Sequence, residues 1–289
     1  MSLLTRFIKI RKLGSGSYGE VILCKYLVPD TLVAVKLITK TDFERKSELE
    51  KIKNELYLHN KLSHPNIIKC FGIYETKEEA CIVMEYMENG DLHHYINSYS
   101  FCRMTVQKIF KQIVAGLEYL HDNDIIHRDI KPENIVLTRT LTVKLIDFGF
   151  AVEYKDRNKY RHGSPAYAAP EIVMKLEFGY PIDIWSLGCV LYALVYRHSA
   201  FHGEDLKDLY RNIVKKSPKI SDIHNCHLNL VIMGMLTVNP KKRYSIAQIK
   251  SNAWFKMEFL PLKKFRVDKE WRDSKEALEL VRKRSEIKF

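Results

Sequence analysis

The sequence predicts an α+β fold of two lobes, a small β-rich lobe followed by a larger, mainly helical one. Three observations carry that expectation. Short apolar segments alternate at a period of two through much of positions 7–85, the signature of strands. Beyond Asn89-Gly90 the period changes: Val106, Ile109, Phe110, Ile113, Val114, Leu117 and Leu120 recur at the spacing of one helix face. Positions 185–196 then form a nearly unbroken apolar run of 12 residues. A bilayer-spanning helix needs about twenty, so the run reads as a helix buried in protein.

In chain order, 7–12 and 20–26 alternate as strands, 31–38 is a third, and 67–75 and 80–85 complete a small sheet. One helix interrupts it, because Leu49, Ile52, Leu56 and Leu62 recur at helical spacing within 48–62. The change of period places the hinge between the lobes at 85–90. A length of 289 residues could hold two average domains, yet the pattern runs as one unit over 7–257, with lobes near 7–87 and 91–257. A short basic tail, 258–289, follows it.

Apolar residues make up 46% of the chain, enough for a sizeable core, and no membrane span is expected. The first 12 residues show no long apolar stretch with a small-residue cleavage site, so no secretory signal is visible. The six cysteines are scattered without a C-x-x-C pair, which argues against a zinc site or a disulfide framework and for free thiols in a reducing compartment. Cytoplasm or nucleus is the expected location.

Two strings carry the chemistry. His127-Arg128-Asp129-Ile130-Lys131-Pro132-Glu133-Asn134 and Asp147-Phe148-Gly149 place phosphate-handling and metal-handling side chains close together in sequence. Upstream, Gly14-Ser15-Gly16-Ser17-Tyr18-Gly19-Glu20-Val21 reads G-x-G-x-x-G-x-V, in which missing β-carbons let backbone N–H groups approach phosphates. Alone, this pattern is equally a plain hairpin turn. Ala34-Val35-Lys36 decides the matter, since an ammonium at the end of an apolar strand needs an anionic partner, and the α- and β-phosphates of ATP supply one. Glu55, on the predicted helix, is the carboxylate expected to hold Lys36 in turn.

In order and spacing these residues resemble the eukaryotic serine/threonine protein kinases, over 7–255. The run from Glu55 to His64-Pro65-Asn66-Ile67-Ile68 has the layout of the kinase αC helix entering the fourth strand, so the fold expected is the bilobal kinase fold. Gly163-Ser164-Pro165-Ala166-Tyr167-Ala168-Ala169-Pro170-Glu171 and Asp183-Ile184-Trp185-Ser186-Leu187-Gly188 are similar to the calmodulin-dependent group, in its AMP-activated-kinase-like and testis-specific-kinase-like branches. Asp147-Phe148-Gly149-Phe150 and Ile82-Val83-Met84-Glu85 to Gly90-Asp91-Leu92 lean toward the second branch.

The resemblance implies Mg2+-dependent transfer of the ATP γ-phosphate to Ser/Thr hydroxyls of protein substrates, with these roles. Asp129 accepts or orients the hydroxyl proton, and Lys131 neutralises charge on the transferring group. Asn134 and Asp147 offer hard oxygens to Mg2+. Leu13, Gly14, Ser15, Gly16, Ser17, Tyr18 and Gly19 cover the nucleotide. Adenine lies between Val21 and Ala34 above and Val136 below, with backbone groups of Glu85 and Met87 beside it and Met84 as gatekeeper; Asp91 reaches the ribose or a basic substrate residue. For these adenine positions, ordinary strand-end residues remain the other reading. Asp91 and Glu133 are candidates for an acidic pocket taking a basic residue a few positions before the acceptor. His127 is expected to pack on Phe148, Glu171 to pair with Arg243 in a buried ion pair, and Asp183 to accept backbone N–H groups of the catalytic loop.

Two departures from that family pattern stand out. Residues 150–162 hold no serine or threonine, and Tyr160 occupies the slot of the usual phosphorylatable threonine. His59, one turn after Glu55, replaces an apolar residue. Arg128 occupies the position that binds a loop phosphate in related kinases, so a carboxylate such as Glu153 or Asp156, or nothing, is expected in the phosphate's place. Tyrosine phosphorylation at Tyr160 is the alternative, and a regulatory protein partner is another route to control. In the tail, Val267, Trp271, Ser274, Leu278 and Val281 form a narrow helical stripe, read as a helix docked on the large lobe rather than a frayed charged tail or a calmodulin- or membrane-binding segment. A net charge of +12 raises nucleic-acid binding as a reading from another class, but the basic residues are spread without an Arg-rich arm, so no specific nucleic acid is expected. A pseudokinase scaffold is the other alternative, opposed by the intact Lys36, Asp129, Asn134 and Asp147. A monomer is the expected state.

Overall fold

The computed structural model describes residues 7–16, 19–27, 30–39, 46–76, 79–99, 101–159, 163–221 and 226–258. It opens with strands β1 (Phe7–Gly16), β2 (Gly19–Tyr26) and β3 (Thr31–Thr39), then helix α1 (Lys46–Lys61), then β4 (Cys70–Glu75) and β5 (Glu79–Glu85). The five strands form one antiparallel sheet in the order β1-β2-β3-β5-β4. Alternation along them sorts the side chains. Ile22, Cys24, Val33, Val35, Cys81 and Val83 pack into a small outer cluster, while Ile38, Ala80, Ile82 and Met84 join the main core. Lys36 is thereby carried toward the inner face, opposite Ile82 on β5 and Val21 on β2.

Two boundaries differ from the sequence reading. The glycine-rich segment is no free loop up to Gly16, because β1 continues to Gly16, which pairs with Gly19. The fourth strand starts at Cys70, not at position 67. Ile67 instead bridges Leu145 in parallel, with Leu145 N–H donating to the Asn66 carbonyl at 2.9 Å and Ile68 N–H to the Leu145 carbonyl at 3.0 Å. Both isoleucines are buried at this junction, so their apolar character reports lobe-to-lobe packing rather than the sheet.

The second lobe begins after 86–91 with α2 (Leu92–Ser98) and α3 (Arg103–Asp122). Next come β6 (Ile125–Ile126), a 3-10 turn (Pro132–Asn134), β7 (Ile135–Leu137), β8 (Val143–Leu145) and β9 (Val152–Glu153). Two further 3-10 turns (Tyr154–Lys159 and Pro165–Tyr167) lead into α4 (Pro170–Val173), α5 (Pro181–Tyr196), α6 (Leu206–Lys215), α7 (Cys226–Met235), α8 (Ile246–Ser251) and α9 (Ala253–Lys256). The expected stripe of α3 is buried in full, and α5 is buried from Ile182 to Leu194. A wholly buried helix has few ways to satisfy a polar side chain, which makes Asp183 in its first turn informative.

Among the described residues no helix is long and apolar enough to cross a membrane. All six cysteines are free. The tail stripe from Val267 to Val281, like Ser17, Tyr18 and Tyr160, lies outside the described residues.

Candidate active site

Asp183 organises the loop after β6. It is fully buried, and its Oδ1 and Oδ2 accept the backbone N–H groups of Arg128 and His127, each at 2.8 Å. His121, in the last turn of α3, donates Nε2–H to Oδ2 at 2.9 Å. Burial by itself would raise the Asp183 carboxyl; the His121 hydrogen bond and the neighbouring imidazoles outweigh it and hold the group below the usual carboxylate range. The fixed carboxylate supports Arg128 in a left-handed conformation (φ 66°), a strained state that turns the chain so that Asp129 faces inward. The expected role of Asp183 is met. The part of His121 was not legible, since a lone histidine near a helix end carries no pattern.

Around Asp129, 3% exposed, four side-chain and backbone groups converge. Ser164 donates both its N–H (3.1 Å) and its hydroxyl (2.8 Å) to Oδ1. Asn134 Nδ2 donates to Oδ2 at 2.9 Å, and Lys131 Nζ lies 2.7 Å from the same oxygen. Lys131 also donates to the Ser164 hydroxyl at 2.8 Å. One hydroxyl thus sits between a carboxylate and an ammonium.

Lys36, 4% exposed, meets Glu55 Oε1 at 2.5 Å and Asp147 Oδ1 at 3.4 Å. Burial lowers the Lys36 pKa, but the two carboxylates raise it further, so the ammonium is kept charged. Burial likewise raises Asp147, and Lys36 with the Gly149 N–H brings it below the usual range. Asp147 Oδ2 and Asn134 Oδ1 receive no donor from any described residue. Phe148 is fully buried against His127, ring centroids 5.5 Å apart, as expected, and against His59 at 5.2 Å.

The adenine positions come together only in part as expected. Ala34, Met84, Met87 and Val136 are buried, Leu13 and Val21 half-buried, with Ala34 opposite Met84 across β3 and β5. At Glu85, however, the N–H is already donated to the Lys69 carbonyl at 3.0 Å, so a ligand there could meet only its carbonyl. No described group accepts the Met87 N–H, whose carbonyl takes Gly90 N–H at 3.2 Å. Asp91 caps α2, with Oδ1 accepting His94 N–H at 2.8 Å, and Glu133 lies 3.5 Å from His93 Nδ1. These two carboxylates are therefore engaged within the chain.

In the glycine-rich hairpin a β-carbon on Gly19 (φ 156°) would fall 1.7 Å from the Leu37 carbonyl oxygen, which excludes any side chain. A β-carbon on Gly14 would meet no protein atom within 4 Å, so packing does not demand that glycine. Close approach of a phosphate to the backbone does. The two unengaged oxygens, Asp147 Oδ2 and Asn134 Oδ1, fit a hard cation. No group of three or more His, Cys, Asp and Glu among the described residues could hold a metal unaided. That suits Mg2+, which uses one or two protein oxygens together with phosphate oxygens and water.

The segment after Gly149 is held without a phosphate. Arg128 Nε donates to the Phe150 carbonyl at 2.5 Å. Glu153, one of the carboxylates expected to stand in for a phosphate, turns to α1 instead, 3.4 Å from Lys61 Nζ and from the Tyr57 hydroxyl, with Lys155 at 2.6 Å. Tyr154 stacks on Tyr180 at 4.6 Å, the Arg157 guanidinium covers Tyr154 at 4.2 Å, and Tyr180 donates to Asp124 Oδ1 at 2.7 Å. This stack was missed in the sequence because its members are 26 positions apart and follow no periodicity. Farther on, Arg243 donates to both oxygens of Glu171 at 2.7 and 2.8 Å, the expected buried pair.

A paired lysine and glutamate, a carboxylate and amide with spare oxygens, and a carboxylate–lysine clamp around a hydroxyl define a site for phosphoryl transfer. The sequence pattern of the protein kinase domain matches residues 7–255, and the chain belongs to the protein kinase family. It is 39% identical over 252 residues to serine/threonine-protein kinase SIK1 of Rattus norvegicus, covering 86% of this chain and 32% of that protein. It is 34% identical over 252 residues to the carbon catabolite-derepressing protein kinase of Candida glabrata, covering 86% and 41%. CBL-interacting protein kinase 28 of Oryza sativa subsp. japonica is 31% identical over 260 residues, covering 88% and 60%. These relatives are AMP-activated-kinase-related serine/threonine kinases, the broader grouping to which the sequence motifs point. The chain spans about a third of the length of SIK1.

Proposed function

We propose that this chain transfers the γ-phosphate of ATP to serine or threonine hydroxyls of protein substrates, with Mg2+ bound. The observation that carries the reading is the clamp at Asp129. Ser164 places an alcohol between Asp129 Oδ1 and Lys131 Nζ, an arrangement suited to an acceptor hydroxyl in the same setting. There Asp129 would orient the hydroxyl and take its proton, while Lys131 offsets charge on the transferring group. Lys36, aimed by Glu55, would bind the α- and β-phosphates, and the hairpin around Gly14 and Gly16 would lie over them. Mg2+, when bound, supplies neutralisation of phosphate charge, and Asp147 and Asn134 are the residues to hold it. Ala34, Met84 and Val136 would enclose adenine, with the Met87 N–H and the Glu85 carbonyl as its polar contacts.

Six free cysteines support a reducing compartment, cytoplasm or nucleus. The matched domain 7–255 supports a catalytic unit ending near 257 with the remainder as a tail. Lys36→Ala, Asp129→Asn and Asp147→Ala are each expected to lower phosphate transfer to a serine/threonine peptide library by orders of magnitude, with unfolding midpoints close to that of the parent. Wild-type turnover by Asp129→Asn in a purified preparation would sink the assignment.

A further inference from the structure

A buried imidazole stands between the glutamate that holds Lys36 and the phenylalanine next to Asp147. His59 lies one turn after Glu55 on α1 and is 4% exposed. Its ring meets Phe148 edge-on, with planes at 76°. Its Nε2 is 3.8 Å from Glu55 Oε1, the oxygen that Lys36 also holds. Among the described residues, neither His59 Nδ1 nor Glu55 Oε2 has a hydrogen-bonding partner.

Packing alone does not call for a histidine here. A leucine would fill the space between α1 and Phe148 without burying two ring nitrogens, and an unpaired buried polar atom costs stability. Local rules broken without a packing gain mark functional positions. What imidazole adds over leucine is an N–H dipole beside a carboxylate in surroundings where water does not screen it. At 3.8 Å the contact is longer than a hydrogen bond, so its action is electrostatic orientation. Two positive poles, the Lys36 ammonium and the His59 N–H, converge on Oε1 and fix which oxygen of Glu55 faces the lysine.

We propose that His59 is a positioning residue for phosphoryl transfer: its imidazole orients Glu55, and with it Lys36, toward the nucleotide phosphates, and links that alignment to Phe148. The proposal rests on the kinase reading. It places His59 in the catalytic apparatus at the expense of stability, the reverse of what a plain core residue would do.

The test compares the parent protein with His59→Leu and His59→Gln. Three quantities are measured: the melting temperature without nucleotide, kcat and ATP KM on a serine/threonine peptide library, and the Kd for Mg2+-ATP by calorimetry. His59→Leu should melt at or above the parent temperature, while its ATP KM and Kd rise roughly tenfold, the scale of one lost contact to a charged group. His59→Gln retains a side-chain N–H and should stay within roughly twofold of the parent in both. Unchanged KM and Kd in His59→Leu would overturn the proposal. So would parallel losses of melting temperature and activity in both variants, which would mark a packing residue only. A parent protein that binds Mg2+-ATP but transfers no phosphate would refute the kinase reading, and the Kd series would still decide the role of His59.

Discussion

Arg243 has no water to turn to. It is 5% exposed, both of its terminal nitrogens are on Glu171, its guanidinium lies 5.1 Å from the Trp185 ring, and Nε donates to the Thr237 carbonyl. Desolvation of two such ions consumes most of what their attraction returns, so the pair is weak evidence for net stability. It is, however, a strong constraint, because either ion left alone has lost its only counter-charge. Arg243→Met is expected to lower stability by about 3–5 kcal/mol, read as a drop in denaturant midpoint. The double variant Glu171→Leu/Arg243→Met should recover much of it. A single variant as stable as the parent would show that the region opens to water. Both residues were legible as partners from the family pattern, whereas the ring beneath Arg243 was not, since a stacking contact between distant positions has no sequence period.

At the scale of elements, α1 is the part whose placement decides the site, and the segment after Gly149 is what holds it. Asn54 donates to the Ala151 carbonyl at 2.7 Å, Lys61 and Tyr57 reach Glu153, and Glu55 reaches Lys36. The segment is in turn fixed by the Arg157–Tyr154–Tyr180 stack, with Tyr154 N–H donating to the Asp124 carbonyl at 2.7 Å. Cation–π and aromatic stacking contacts of this kind contribute about 0.5–2 kcal/mol each, enough to bias an ordered segment without a phosphate. The expected outcome is that bacterially expressed protein keeps its peptide-phosphorylating activity after phosphatase treatment, checked by intact mass. Tyr154→Ala should lower that activity severalfold at nearly unchanged melting temperature. Loss of activity on phosphatase treatment, with the phosphate mapped to serine or threonine between Asp147 and Glu171, would contradict this. Ser164 is a poor switch site, because its hydroxyl is already shared by Asp129 and Lys131.

Over the whole molecule, legibility followed periodicity and fixed motif spacing. The long helices were visible because α3 repeats its apolar face over five turns or more, and the catalytic side chains because their order along the chain is rigid. Strands of two or three residues, such as β6 and β9, are too short to show a period, and the start of β4 was misplaced because burial at a lobe junction mimics a strand. The same junction allows a test of the assembled site. Lys36 comes from the sheet and Asp147 and Asn134 from the other lobe, so a ligand contacting all three stabilises the folded chain by mass action. At a concentration of Mg2+-ATP near one hundred times its Kd the gain is about 2.7 kcal/mol, which for a domain of this size raises the melting temperature by roughly 5–10 °C. With EDTA replacing Mg2+, the Asp147 carboxylate, kept ionised by Lys36, would face phosphate without a counter-ion. The shift should then shrink to a small fraction. Lys36→Ala should weaken it in Mg2+ as well. An equal shift with and without Mg2+ would mean that the nucleotide does not lie against Asp147.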